Sequence, residues 1–294
     1  MQVVFDIGGT SVRAAAVEAP GRIRPLGQVP TPREDFGAFA AALGGLMPEG
    51  TRGIALSIAG VVDPDGGRAK VANIACIDGR PLGDDLAAAL GVPVIVANDA
   101  DCFALAEART GAGVGHRVVM GLILGSGVGG GIVIDGRIHN GAGGYAGEWG
   151  HGPVVRPGAL PVWRCGCGLD GCLDAVGSAR GLERIEKHLG GARDAVAIVR
   201  DWLAGEPRAV QAVDLWRDAV AGPLAMVVNV IGASVLPVGG GLGNVPELIA
   251  SLDAAVRPLI LRRTDAPLIV PARHRDNPGM IGASLLAAEA FGDA

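Results

Sequence analysis

Three cysteines fall close together as Cys165, Cys167 and Cys172, and a histidine, His151, precedes them. One imidazole and three thiolates form the donor set of a closed tetrahedral structural zinc site. The C-x-C-G-x-x-G-C spacing places glycines where the chain must fold tightly round a metal; the plain alternative is three free buried thiols. Cys76 and Cys102 lack comparable partners and read as small core residues.

Glycine turns at strand ends offer a second chemistry, because they expose backbone N–H groups that can cradle phosphate oxygens. The chain has three: Gly8-Gly9, the run Gly125 to Gly131, and Gly239 to Gly241. Each alone could be an ordinary turn. Asp6, at the end of the strand before Gly8, adds a carboxylate placed to hold Mg²⁺ or its water. Gly125 to Gly130 also fits G-x-G-x-x-G, but a dinucleotide-binding turn must open a helix. Here β-branched Ile132 to Ile134 and the turn pair Asp135-Gly136 follow, so a phosphate-binding hairpin fits better. Asp99 stands where a strand gives way to a helix, so the helix dipole favours its ionised form. That suits a base or a hydroxyl anchor, although Asn-Asp pairs are also routine helix caps. Glu148 precedes His151 by three residues, so a metal at His151 would fix its backbone; a solvated glutamate is the alternative, and Asp174 beyond Cys172 carries the same ambiguity.

These residues need elements to position them. Val3 to Phe5 and Val12 to Val17 read as a hairpin about the first glycine turn, and Val118 to Leu124 with Ile132 to Ile134 as another about Gly125 to Gly131. Two such hairpins far apart suggest two domains on one plan. Between them the patterning predicts helices over 36–46, 82–90 and 101–109 and strands over 54–58 and 92–96. Further on it predicts helices over 179–189, 192–203 and 209–228 and a strand over 235–238. Asn244, with Pro246 and Glu247 after it, is expected to cap the next helix. The expected boundary separates 1–114 from 115–294, with the last helix, about 280–294, returning to the first domain.

Composition narrows the class. The 294 residues carry a net charge of -5, 3% aromatics and no basic run, which argues against a nucleic-acid groove or a polybasic membrane surface. The longest apolar stretch, Leu224 to Val238, contains Asn229, Ser234 and Pro237 and is too short to span a bilayer. Met1 runs straight into a strand without the basic and apolar segments of an export signal, so a cytoplasmic protein is expected.

Taken together, Asp6-Ile7-Gly8-Gly9-Thr10, Gly125 to Gly131, Gly147-Glu148-Trp149-Gly150-His151 and the Cys165 to Cys172 cluster resemble the ROK family of sugar kinases and related repressors. The resemblance runs from the first strand to the last helix. It implies an α/β actin-like ATPase (ribonuclease H-like) fold of two domains, with a sugar and ATP cleft between them. Within the family, Asn73, the run from Asn98 to Leu105 and Ala272-Arg273-His274 look most like the bacterial N-acetyl-D-glucosamine kinases.

The resemblance makes Asp99 the base for a sugar 6-hydroxyl attacking ATP. It makes Asn73, Asp78, Asn98, Glu148, His151 and Asp174 sugar contacts. ATP with Mg²⁺ would lie on Asp6, Gly8, Gly9, Thr10 and Ser11 and on Gly125, Ser126, Gly127, Val128, Gly129, Gly130 and Gly131, with the adenosine at Gly240, Gly241 and Asn244. Three positions depart from the family: Asp174 stands where glutamate is usual, Asp78 where these kinases tend to have serine, and Ser11 replaces a common lysine. N-Acetylmannosamine and glucose remain alternative substrates, since small pocket changes shift selectivity by only about 1–3 kcal/mol. A non-catalytic sugar sensor is the reading from another class; family repressors begin with a winged helix, whereas this chain begins at the first hairpin. The resemblance allows a homodimer, as relatives commonly form, and leaves the oligomeric state open.

Overall fold

The computed structural model describes residues 1–155 and 157–292. Its strands are β1 (Gln2–Ile7), β2 (Ser11–Ala19), β3 (Arg22–Pro30), β4 (Gly53–Ile58), β5 (Val61–Val62), β6 (Ala69–Lys70), β7 (Val94–Asn98), β8 (Val118–Leu124), β9 (Val128–Ile134), β10 (Arg137–Ile138), β11 (Leu236–Gly239) and β12 (Ile269–Pro271). Its helices are α1 (Phe36–Leu46), α2 (Leu82–Leu90), α3 (Asp99–Thr110), α4 (Asp174–Gly177), α5 (Ala179–His188), α6 (Ala195–Leu203), α7 (Pro207–Ile231), α8 (Pro246–Val256) and α9 (Pro278–Phe291). The chain divides into two compact units. Unit 1 comprises Met1–Gly111, Gly131–Ala146 and Asp276–Ala294; unit 2 comprises Ala112–Gly130 and Gly147–Arg275.

Unit 1 is built on a five-stranded sheet in the order β3-β2-β1-β4-β7. β1 is antiparallel to β2 and parallel to β4, which is parallel to β7. Both faces are covered, and the two-residue period of a strand divides the apolar side chains between them. Val3, Phe5, Ile7, Ile54, Leu56 and Ile58 join one core with Phe39, Leu43, Leu82 and Leu86. Val4 and Ala55 point the other way, to Cys102, Met280, Ala283 and Ala287. On this second face α9 also lies close against α3: a Cβ on Gly282 would come within 1.9 Å of the Cys102 carbonyl oxygen. The short β9–β10 hairpin turns through Asp135 (φ 52°) and Gly136 (φ 75°).

In unit 2, β11 runs parallel to β8 and β12, with Val238 opposite Leu122 and Leu236 opposite Ile269. Helices α5, α6 and α7 converge on a charge network. Fully buried Glu186 takes both Arg193 Nε (2.7 Å) and Arg193 Nη2 (3.0 Å), and Arg193 Nη1 also reaches Asp201 (3.0 Å) and Glu206 (2.6 Å). Trp216 on α7 is buried and donates its indole N–H to the Gly177 carbonyl at 2.9 Å.

Several boundaries differ from the sequence reading for identifiable reasons. Helix α3 begins two residues early, at Asp99, because Asn98 is its cap, accepting from Ala100 N (2.8 Å) and Asp101 N (3.0 Å). Gly129, Gly130 and Gly131 lie inside β9 rather than in the turn. Gly130 and Gly131 serve close packing there: a Cβ on Gly131 would come 2.6 Å from the Ala100 carbonyl oxygen. Asn244 does not cap α8. It closes a 3-10 turn through its N–H to Gly241, and extended Val245 (φ -109°, ψ 95°) takes the N-cap place.

The Arg193 network yields a stability prediction. Arg193→Ala should destabilise the protein by on the order of 3 kcal/mol at neutral pH, because it leaves the buried Glu186 carboxylate with only the longer Arg208 contact at 3.4 Å. Arg193 and the Ala209 N–H hold Glu206 below its usual range. Its contribution is therefore complete above the ordinary glutamate pKa of about 4.3 and lost as pH falls through the lower folded value. Denaturant titrations should accordingly show wild type losing more stability than Arg193→Ala between pH of roughly 5 and 3; parallel pH profiles would contradict this.

Candidate functional site

In unit 1 the candidate residues collect at one edge of the sheet. β1, β4 and β7 are parallel, so Asp6 near the end of β1 and Asn98-Asp99 at the end of β7 lie at the carboxyl edge, where ligands of open α/β sheets bind. Asn98 caps α3 with its Oδ1 and donates Nδ2 to the Gly60 carbonyl at 2.9 Å, pinning the corner. Half-buried Asp99 is the first residue of α3 and accepts from Ala100 N at 2.9 Å.

The first glycine turn is braced by Gly8 N to Ser11 O (3.0 Å), by the Thr31 hydroxyl to Gly8 O (2.6 Å) and by Thr31 N to Thr10 O (3.1 Å). Asn73 lies against it, its Cβ 3.4 Å from where a Cβ on Gly9 would stand. Asp78 serves its own loop: Oδ1 accepts from Val71 N at 2.9 Å, and Lys70 Nζ is 3.8 Å from Oδ2.

Sequence reasoning missed Arg13. Its guanidinium forms an ion pair with Asp6 and donates to Asn277 Oδ1 at 2.8 Å. The signal was available in the hairpin register, since Ile7 faces Val12 and hence Asp6 faces Arg13 across the antiparallel pair. Ser11 and Arg13 share one face of β2 by the period of two, so a cation stands one step along from Ser11.

In unit 2, the second glycine turn is gripped by its surroundings. Gly125 N donates to Gly127 O (3.0 Å), and Gly125 O accepts from Ala179 N (2.8 Å). Val128 N donates to Asp174 Oδ1 (2.8 Å), and Gly129 O accepts the Trp149 indole N–H (2.8 Å). A Cβ on Gly130 would come 2.9 Å from the Trp149 ring, and one on Gly150 would come 2.4 Å from Val128 O.

The Gly147 to His151 segment thus lies on the hairpin and presents Glu148 and His151 beside each other, with His151 Nε2 3.8 Å from Glu148 Oε2. The ligand atoms of His151, Cys165, Cys167 and Cys172 all lie within 4.8 Å of one another, a group able to hold a metal ion. Cys165 Sγ is 3.7 Å from His151 Nδ1, and the Cys167 and Cys172 sulfurs are 3.6 Å apart. Gly168 (φ 93°) and Gly171 (φ 75°) make the tight returns of this knuckle. Burial pushes the Cys165 thiol up to about 12 and raises that of Cys172, whereas the Leu169 N–H lowers that of Cys167. A cation among them is what would let all three ionise together.

Gly241 lines an apolar pocket with Ala179, Val196, Val199, Leu242 and Val245. Gly240, in the left-handed conformation at φ 83°, packs against the Leu124–Gly125 peptide.

Comparison with known proteins gives a consistent picture. The profile described as "ROK family" matches residues 2–290. The chain is 35% identical to the N-acetyl-D-glucosamine kinase of Pasteurella multocida (strain Pm70), over 97% of this chain and 99% of that one. It is 34% identical to the N-acetylgalactosamine kinase AgaK of Shewanella sp. (strain ANA-3), over 96% and 95%. Among solved structures it resembles a glucokinase from Streptomyces griseus in complex with glucose and AMPPNP, with a TM-score of 0.77, 29% identity and coverage of 98% and 99%.

Proposed function

The chain belongs to the ROK family, and from that membership and the residues at its strand ends we propose that it transfers the γ-phosphoryl group of ATP to the 6-hydroxyl of N-acetyl-D-glucosamine. It is a sugar kinase with the actin-like ATPase fold. The observation that carries the mechanism is the β7–α3 corner, where Asn98 caps the helix and so sets Asp99 as its first residue.

Asp99 removes the 6-hydroxyl proton as that oxygen attacks the γ-phosphorus, and the bridging oxygen leaves with ADP. Glu148 and His151 hold ring hydroxyls, and Asn73 adds a contact from beside the first turn. The phosphate-binding backbone is that of Gly8 to Ser11 in unit 1 and of the Gly125 to Gly127 turn in unit 2, with Asp6 and Arg13 providing one charge of each sign beside the first turn. The adenosine takes the slot beside Gly240, Gly241 and Asn244. Alignment and charge stabilisation supply the rate, as is general for phosphoryl transfer.

The metal we assign to the Cys165, Cys167, Cys172 and His151 cluster is zinc. A tetrahedral zinc with Zn–S of about 2.3 Å and Zn–N of about 2.0–2.1 Å separates its sulfurs by about 3.8 Å and sulfur from nitrogen by about 3.6 Å. The distances of 3.6 and 3.7 Å fit that geometry. With a metal bound, His151 and the three cysteines would join the loop carrying Glu148 to the knuckle and so hold Glu148 in place. Metal analysis of freshly purified protein should find about one zinc per chain, and Cys165→Ser should lose the metal and unfold at lower temperature. A metal-free protein whose stability ignores Cys165→Ser would refute the assignment.

Kinetics test the reaction itself. ADP release should show the highest kcat/KM with N-acetyl-D-glucosamine among a panel including N-acetylgalactosamine, N-acetylmannosamine and glucose. Asp99→Asn should keep the sugar KM within a few-fold and cut kcat by about 10²–10⁴, the range for a lost general base. Near-normal turnover in that variant would remove Asp99 as the base.

A further inference from the structure

The apolar pocket of unit 2 has a volume of about 260 Å³. Ala179 at the start of α5, Val196 and Val199 on α6, and Gly241, Leu242 and Val245 after β11 line it, so its side chains are aliphatic. Sites for complete drug-sized ligands run to about 300–1,000 Å³, so this one suits a single ring system of a larger molecule. The backbone bordering it is engaged within the protein. The Ala179 N–H donates to Gly125 O (2.8 Å), that of the adjoining Ala195 to Glu183 Oε1 (3.0 Å) and that of Val245 to Leu242 O (3.2 Å). The Gly241 carbonyl accepts from Asn244 N (3.4 Å), and Val245 O accepts from Leu248 N and Ile249 N (3.1 Å each).

We infer that this pocket holds the base of the phosphoryl donor by its ring system alone, so that the enzyme accepts purine nucleoside triphosphates as a class and not ATP specifically. The inference rests on the kinase reading above and extends it to the donor. Two contacts join the pocket to the second glycine turn. Ala179 in its wall donates to Gly125 O, and Gly240 lies so close that an added Cβ would come 2.6 Å from the Leu124 carbonyl oxygen. A nucleotide whose phosphates lie on the Gly125 to Gly127 turn thus has its base in reach of these walls. Aliphatic walls favour a flat ring by removing it from water and by dispersion, and neither effect requires an exocyclic substituent. Val196 is 79% exposed, so a polar substituent on that side keeps its water and is not stranded. A site that bonds a substituent rejects the analogue lacking it by about 10⁴–10⁵, because a protein group is left unpaired. Walls whose polar groups are paired within the protein have none to strand.

The test uses the full-length protein with ATP, with purine riboside 5′-triphosphate, which lacks the 6-amino group, and with GTP, each as its Mg²⁺ complex. Turnover is followed as sugar phosphate formed, and binding by calorimetry without sugar. Both analogues should keep kcat/KM and Kd within about tenfold of ATP, a factor no larger than one ordinary hydrogen bond. Val199→Ala takes two methyl groups from the wall. It should raise the KM of ATP and of purine riboside triphosphate by the same factor, about three- to tenfold. If that variant does not fold, Leu242→Ala carries the same comparison.

A loss of more than about tenfold with either analogue would show that the substituents of the base are read, and would overturn the inference. So would an ATP KM unmoved by the wall variants, which places the base elsewhere. An Asn244→Ala variant that weakens ATP and spares purine riboside triphosphate would also overturn it, by making the exposed Asn244 amide the reader of the base. A protein that binds the three nucleotides but phosphorylates no sugar would instead refute the kinase reading, and the three Kd values would then decide the inference.

Discussion

The packing of the Gly147 to His151 segment on the second hairpin of unit 2 depends on one close approach, that of Gly150 to the Val128 carbonyl. A methyl group at position 150 would sit 2.4 Å from that oxygen, so the two backbones touch where no other residue could stand. Close-packed interiors do not absorb such an intrusion, and overpacking typically costs about 1–3 kcal/mol. From this contact the neighbouring geometry follows. Trp149 is brought to Gly129, Asp174 is brought to Val128, and His151 is left one residue past the contact, at the edge of the cysteine knuckle. The glycines of the G-E-W-G-H segment and of the second hairpin are thus two halves of one packing solution.

Unit 1 reaches its precision differently. Its strands are packed on both faces, and the residues offered to chemistry are those at the ends of the parallel strands, where the ladder stops and a helix begins. Asn98 works twice there, as cap and as tether to Gly60, which removes the torsional freedom an aspartate in an open loop would have. Asp6 is held by its cross-strand partner Arg13, itself anchored by Asn277 at the start of α9. The last helix therefore reaches the first glycine turn through a side-chain relay.

Much of this was legible in the sequence, and the limits have physical causes. Helices α1 and α2 fall on the expected residues, because an apolar stripe bounded by Asp35 at one end and Gly91 at the other is a local signal. The metal-ligand cluster was legible for the same reason, its three cysteines being near neighbours in the chain. Arg13 was missed because its role depends on strand register, which sequence alone reveals only if the hairpin is counted outward from its turn. Gly129 to Gly131 were misread as turn residues because glycine signals both positive φ and close approach, and at Gly130 and Gly131 the second applies. Strand β3 went unread because its burial is partial and irregular, leaving no alternation to detect. The hydrogen bonds of Asp174 and Asp78 are tertiary, and no local pattern announces them.

His151 meets the cysteines with Nδ1 and Glu148 with Nε2. A neutral imidazole has one proton to distribute between two nitrogens, and a cation at the first leaves it on the second. The ring would then be a fixed donor, unable to accept a hydrogen from a hydroxyl. Glu148 would face it as acceptor, so the polarity of that pair would be dictated from the buried side of the ring. A hydroxyl arriving between them could bind in one sense only, giving its hydrogen to the carboxylate and its lone pair to the imidazole. The knuckle would in this way choose a direction for hydrogen bonds several atoms away from any sulfur.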